Sequence, residues 1–86
     1  MVKKATWRKF REFRIGRYRI VLYRERENAS IFRIETLDSI TGTYCGDIYT
    51  HFNDELTIIS TTGSLTSNEI LKIVSIIEDY LQKMRE

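Results

Sequence analysis

Apolar positions along the chain follow two different periods. From residue 18 to about residue 60 they recur every second residue, and from residue 66 onward every third or fourth. Tyr18, Ile20 and Leu22 alternate with Arg17, Arg19, Val21 and Tyr23. Phe32, Ile34 and Thr36 alternate with Arg33, Glu35 and Leu37, and Tyr44, Ile48 and Phe52 alternate with Cys45, Asp47, Tyr49 and His51. A period of two predicts strands with one face buried, because successive side chains point to opposite sides of a sheet. Residues 56–60 form a further short β-branched run. Glu27-Asn28-Ala29, the stretch 38–42, Asn53-Asp54 and Thr62-Gly63-Ser64 punctuate these runs with turn formers. Connections this short favour antiparallel neighbours.

The apolar parity switches once. Phe13 and Ile15 are odd-numbered, whereas Tyr18, Ile20 and Leu22 are even. A tight turn at Gly16-Arg17 would return both groups to one face, so residues 11–15 are expected to form a separate short strand.

The C-terminal pattern predicts a helix over residues 67–85, about 28 Å long at roughly 1.5 Å per residue. Thr66-Ser67-Asn68-Glu69 matches a capping box, and Leu65 with Ile70 can form the hydrophobic staple beside it. Ile70, Val74, Ile77, Leu81 and Met84 then share one face, which Ile73, Ile76 and Tyr80 widen.

These elements make an α+β fold: an antiparallel meander of four to five strands, followed by one long C-terminal helix packed on one face. Residues 1–86 read as a single domain, with a basic arm over 1–10, the sheet over 11–62 and the helix over 66–85. The element order from about residue 13 to 85 resembles that of single-stranded-DNA-binding coactivator and whirly-type domains, with an extra strand near residues 56–60. Small lipid- or peptide-binding domains closed by a C-terminal helix share the order too, so the resemblance is one of architecture and names no function. One helix covers one face of the sheet. Val21, Tyr23, Leu37, Tyr49 and Ile59 fall on the opposite face, and a homodimer is the expected way to bury them.

Composition agrees with a packed core, since 42% of residues are hydrophobic and proline is absent. Lys3, Lys4, Arg8 and Lys9 precede no apolar stretch, so the start does not read as a secretory signal. No apolar run nears the roughly 20 residues of a membrane span. No membrane partner is expected, and a lone cysteine, Cys45, suits a reducing, cytoplasmic setting.

Catalytic chemistry finds little support. Cys45 and His51 on one extended strand would stand about 20 Å apart, whereas a nucleophile and its base must come within about 3 Å. With one cysteine and one histidine, a zinc site would need carboxylates for its remaining ligands. Gly42, Gly46 and Gly63 form no phosphate-cradling fingerprint. A metal-dependent nuclease would require Asp38, Asp47, Asp54 or Glu55 to converge. The expectation is a protein without enzymatic activity, cofactor or metal.

Charge carries the functional signal. Residues 1–33 hold eleven cations against three acids, net +8, while residues 34–86 hold three cations against nine acids, net −6. Arginine dominates the basic part, and its planar fork suits phosphate oxygens. Aromatic residues interleave with the cations, as single-stranded nucleic acid requires for base stacking. The expected function is therefore a small nucleic-acid-binding protein, sequence-tolerant and directed at single strands. Its candidate contacts are Lys3, Lys4, Trp7, Arg8, Lys9, Arg11, Arg14, Arg17 and Arg19, with Trp7 the aromatic expected to stand exposed. Two alternatives compete. Basic and acidic parts can neutralise each other across strands, through pairs such as Arg33 with Asp47. The chain can also be a small regulatory or inhibitory protein-interaction module of the phage or viral accessory kind, binding a protein partner with no ligand chemistry.

Overall fold

A computed structural model describes residues 6–85 of the chain. Five strands pair in strict sequence order as one antiparallel sheet: β1 (Trp7–Ile15), β2 (Tyr18–Glu25), β3 (Ile31–Asp38), β4 (Tyr44–Asn53) and β5 (Glu55–Gly63). The helix α1 (Ser67–Arg85) closes one face. Among the described residues no helix is long and apolar enough to cross a membrane.

The helix starts where its cap dictates. The Glu69 amide donates to Thr66 Oγ1 at 3.2 Å and the Thr66 amide donates to Glu69 Oε1 at 2.9 Å, the reciprocal pair of a capping box. Leu65 and Ile70, either side of the cap, both pack against the core. Ile73, Val74, Ile77 and Leu81 are buried against Ile20, Leu22, Phe32, Ile34 and Ile48 of the central strands. Tyr80 adds edge-on contacts to Phe13 and Phe10, with ring centroids 4.9 and 6.5 Å away. One apolar helix stripe and one sheet face thus supply the main hydrophobic cluster.

The parity switch resolves as a two-residue hairpin turn. Ile15 pairs with Tyr18, Phe13 with Ile20, and Gly16 takes φ 58° at the first turn position, where an L side chain would be strained. The strand before it is longer than the pattern predicts. It starts at Trp7, so residues 7–10 of the expected arm belong to the sheet. A register shift between Lys9 and Arg11 leaves Phe10 out of the ladder, and that irregularity breaks the alternation that would have revealed the strand.

A second shift corrects another expectation. Thr36 pairs with Gly46 but Leu37 pairs with Tyr44, so Cys45 is the extra residue of a bulge. Tyr44, expected to join Ile48 in the core, is half exposed on the other face, and Cys45 packs against the core in its place. The β4–β5 pairing shifts once more between Tyr49 and Thr50, leaving Ile59 unpaired and exposed.

Candidate nucleic-acid interface

Register assigns each basic residue to a face, because directly paired residues point to the same side. Lys9 pairs with Tyr23 and Arg14 with Arg19, placing these cations on the face that no helix covers. Arg8 pairs with Arg24, and Arg24 in turn with Phe32, placing those two on the helix side. Arg11 pairs with Leu22 on the same side, and its guanidinium lies 5.6 Å from the Tyr80 ring centroid. Arg17 is in the turn and stacks 5.1 Å from the Tyr18 ring centroid. The candidate cations therefore wrap both faces of the β1–β2 hairpin. Lys3 and Lys4 lie outside the described residues.

From Trp7 to Arg26 the hairpin holds eight cations against Glu12 and Glu25, net +6. Some of this charge is answered locally. Lys9 Nζ lies 3.0 Å from Glu12, and Arg19 lies 3.9 Å from it. Lys9, by hydrogen bond and charge, and then Arg19 hold the Glu12 carboxyl below its ordinary range. These pairs are exposed and salt-screened. The side chains of Arg8, Arg14 and Arg26 are exposed and make no hydrogen bond or ion pair to another described residue.

The open face of the central strands is used differently. Arg33 Nε donates to Asp47 Oδ1 at 3.1 Å, Arg33 Nη2 donates to Glu35 Oε2 at 3.1 Å, and the guanidinium lies 5.1 Å from the Tyr23 ring centroid. The Tyr44 hydroxyl donates to Asp47 Oδ2 at 2.8 Å and lies 3.1 Å from Thr62 Oγ1. Burial pulls the Arg33 pKa down, but the hydrogen bond and charge of Asp47 and the charge of Glu35 outweigh it and raise the value. The cross-strand pair read from sequence is present, with Asp47 buried although α1 lies on the other face.

Among the aromatics, Trp7 departs from expectation, while Phe13, Tyr18 and Phe32 take the core positions that their strands predict. Trp7 is half buried, its ring centroid 6.1 Å from that of Tyr49. Those strands lie three spacings apart, about 14 Å at roughly 4.8 Å each, so the two rings lean together above β2 and β3. Phe10 and Phe13 pack beneath the helix, Tyr18 is buried with its hydroxyl donating to Glu69 Oε2, and Tyr23 lies against Arg33. Tyr44 is the exposed large aromatic of the described residues, and register sets it on the open face in line with Leu37 and Arg19. Sequence reasoning also missed Arg24 and Arg26 as members of the basic surface; their pairing opposite Arg8 and beside Thr6 follows only from register.

Among the described residues no three His, Cys, Asp or Glu side chains gather where they could share a metal ion. No protein-family model, curated protein or solved structure matches the chain.

Proposed function

We propose that this chain is a small non-catalytic nucleic-acid-binding protein that holds the phosphate backbone with its β1–β2 hairpin. The observation that carries this is the direct opposition of like charges, Arg8 with Arg24 and Arg14 with Arg19, on one net +6 hairpin. Like charges directly across a ladder destabilise it, and a polyanion relieves them. With its aromatic rings engaged in packing, the hairpin binds through phosphates and tolerates any sequence. A reducing, cytoplasmic setting suits its free thiol, Cys45.

Fluorescence anisotropy with labelled oligonucleotides tests the reading. If four to six cations meet phosphates of a single strand, log affinity falls against log salt with slope about −3 to −4. Arg14→Glu with Arg19→Glu weakens binding equally for every sequence. No binding at about 50 mM salt refutes the proposal.

A second reading, an interaction module, is favoured by β5. This edge strand is exposed at every residue from Thr57 to Gly63, and the chain carries no charge between Glu55 and Glu69. The opposite edge, β1, is studded with Arg8, Lys9, Arg11, Glu12 and Arg14, which guard it against pairing. A second copy is the occupant that fits β5, since its uncharged stretch, residues 57–63, meets itself about a two-fold axis without like-charge contact, and the assembly closes. The homodimer reading thus rests on this edge and not on the sheet face, where Val21 is already buried. Light scattering behind size exclusion should give twice the chain mass, and Ile58→Lys should give the monomer. A wild-type monomer at about 100 μM, a concentration at which a micromolar dimer is formed, overturns it.

A further inference from the structure

Arg24 is the arginine of the described hairpin whose guanidinium both donates to a backbone carbonyl and lies over two rings. Its Nε donates to the Ala29 carbonyl at 2.7 Å, closing the β2–β3 turn. Its guanidinium lies 5.5 Å from the Phe10 ring centroid and 5.3 Å from that of Phe32. Guanidinium carries five N–H donors, and the Ala29 carbonyl takes one. The remaining four have no acceptor among the described residues.

Arg24 also lines a cleft of about 320 Å³, together with Arg8, Glu25, Arg26 and Ala29. Arg8 enters it from the facing strand, and Arg26 is fixed at its backbone by donating to the Thr6 carbonyl at 3.1 Å. A second cleft, of about 290 Å³, continues past Arg24 to Arg85, whose own charge is answered by Asp54 at 3.1 Å. Three arginines thus line a space large enough for a tetrahedral oxyanion, and Glu25 borders it from a position whose register faces the other side of the sheet. A fork fixed before the ligand arrives loses little freedom on binding, and it offers paired donors at the spacing of two phosphate oxygens.

We propose that the cleft between Arg8, Arg24 and Arg26 is a phosphate-binding site, and that Arg24 is its preorganised floor. The inference rests on the nucleic-acid reading, in which a backbone phosphate of the bound strand occupies the cleft. Free phosphate offers the same oxygens, so the test has two arms.

The arginine Nε–Hε resonances of the full chain are followed by NMR during titration with a single-stranded oligonucleotide lacking terminal phosphates, and separately with inorganic phosphate. Binding is then repeated with Arg8→Gln/Arg26→Gln, two exposed positions whose change leaves the core intact, and with Arg24→Lys, which keeps the charge but loses the fork. The expected result is a saturable shift of the Arg24 resonance with the oligonucleotide. The double variant should lose affinity about tenfold at low salt, with a salt slope shallower by about 1.4. Arg24→Lys should lose affinity without changing that slope. Oligonucleotide binding that leaves the Arg24 resonance unmoved, with the double variant unaffected, overturns the cleft while the nucleic-acid reading stands. A saturable response to inorganic phosphate without oligonucleotide binding supports the cleft and removes the nucleic-acid reading. Silence in both titrations removes both.

Discussion

Asp47 is the residue whose loss most directly tests how the sheet face opposite the helix is held. Its carboxylate accepts from Arg33 on one oxygen and from the Tyr44 hydroxyl on the other. The side chain is 8% exposed and that of Arg33 22% exposed. Asp47→Ala removes one of two acids from a largely desolvated guanidinium and strips Tyr44 of an acceptor. Breaking a fully buried pair costs about 3–5 kcal/mol. Here Arg33 keeps Glu35 at 3.1 Å and some contact with water, which brings the expected loss to about 1.5–3 kcal/mol. For a domain of this size that lowers Tm by roughly 6–20 °C. Urea unfolding is the assay, and the midpoint should fall with the m-value unchanged. Arg33→Met alone removes the cation together with its desolvation cost, so Asp47→Ala added to Arg33→Met should cost less than Asp47→Ala in the wild type. The coupling energy of that cycle should be about 1–2 kcal/mol. A loss below about 0.5 kcal/mol for Asp47→Ala, or a coupling near zero, refutes the claim that this network organises the open face.

Gly63 and the acid limb of stability give two further tests. Gly63 takes φ 97°, and a Cβ there would lie 2.3 Å from the Cys45 carbonyl oxygen and 2.4 Å from Gly46 Cα. Gly63→Ala should therefore destabilise the domain by at least about 2 kcal/mol in a thermal melt, and a neutral outcome would show that the β4–β5 ends have room to part. The Glu69 carboxyl is held below its ordinary value, first by the Thr66 amide and then by the Tyr18 hydroxyl. A depressed carboxylate contributes stability that is complete above the unfolded value and lost as pH falls through the folded one. The difference in urea midpoint between wild type and Glu69→Gln should accordingly be present at pH 7 and shrink as pH falls below the unfolded glutamate value of about 4.3. A difference independent of pH would place the effect of Glu69 outside its charge.

What could be read in advance followed from local regularity. The helix was legible because its cap, staple and apolar stripe all lie within neighbouring turns, and its bounds agree with the structure. The Gly16-Arg17 turn was legible from a parity change in the side-chain alternation. Two departures, in a strand's start and in a strand's faces, each came from one extra residue. Phe10 hid the start of β1, and Cys45 exchanged the faces of itself and Tyr44, because a single bulge shifts every later side chain by one. The basic surface was legible as charge but not as geometry. Nothing in the order of residues says that Trp7 meets Tyr49 across two intervening strands, or that Arg24 sits opposite Arg8. Those contacts depend on strand order and register, which no local period encodes.

The strictly sequential order of the strands carries a consequence for synthesis. Each strand of the meander can pair with its predecessor as soon as it leaves the ribosome, so hydrogen-bonded ladder accumulates from the first hairpin onward. The apolar side of that growing ribbon has no cover of its own. Ile73, Val74, Ile77 and Leu81, which seal it, are made only after all five strands. Until they emerge the nascent chain shows a greasy flank and an unprotected fifth strand together, and a translational pause before residue 73 would leave it dependent on a chaperone.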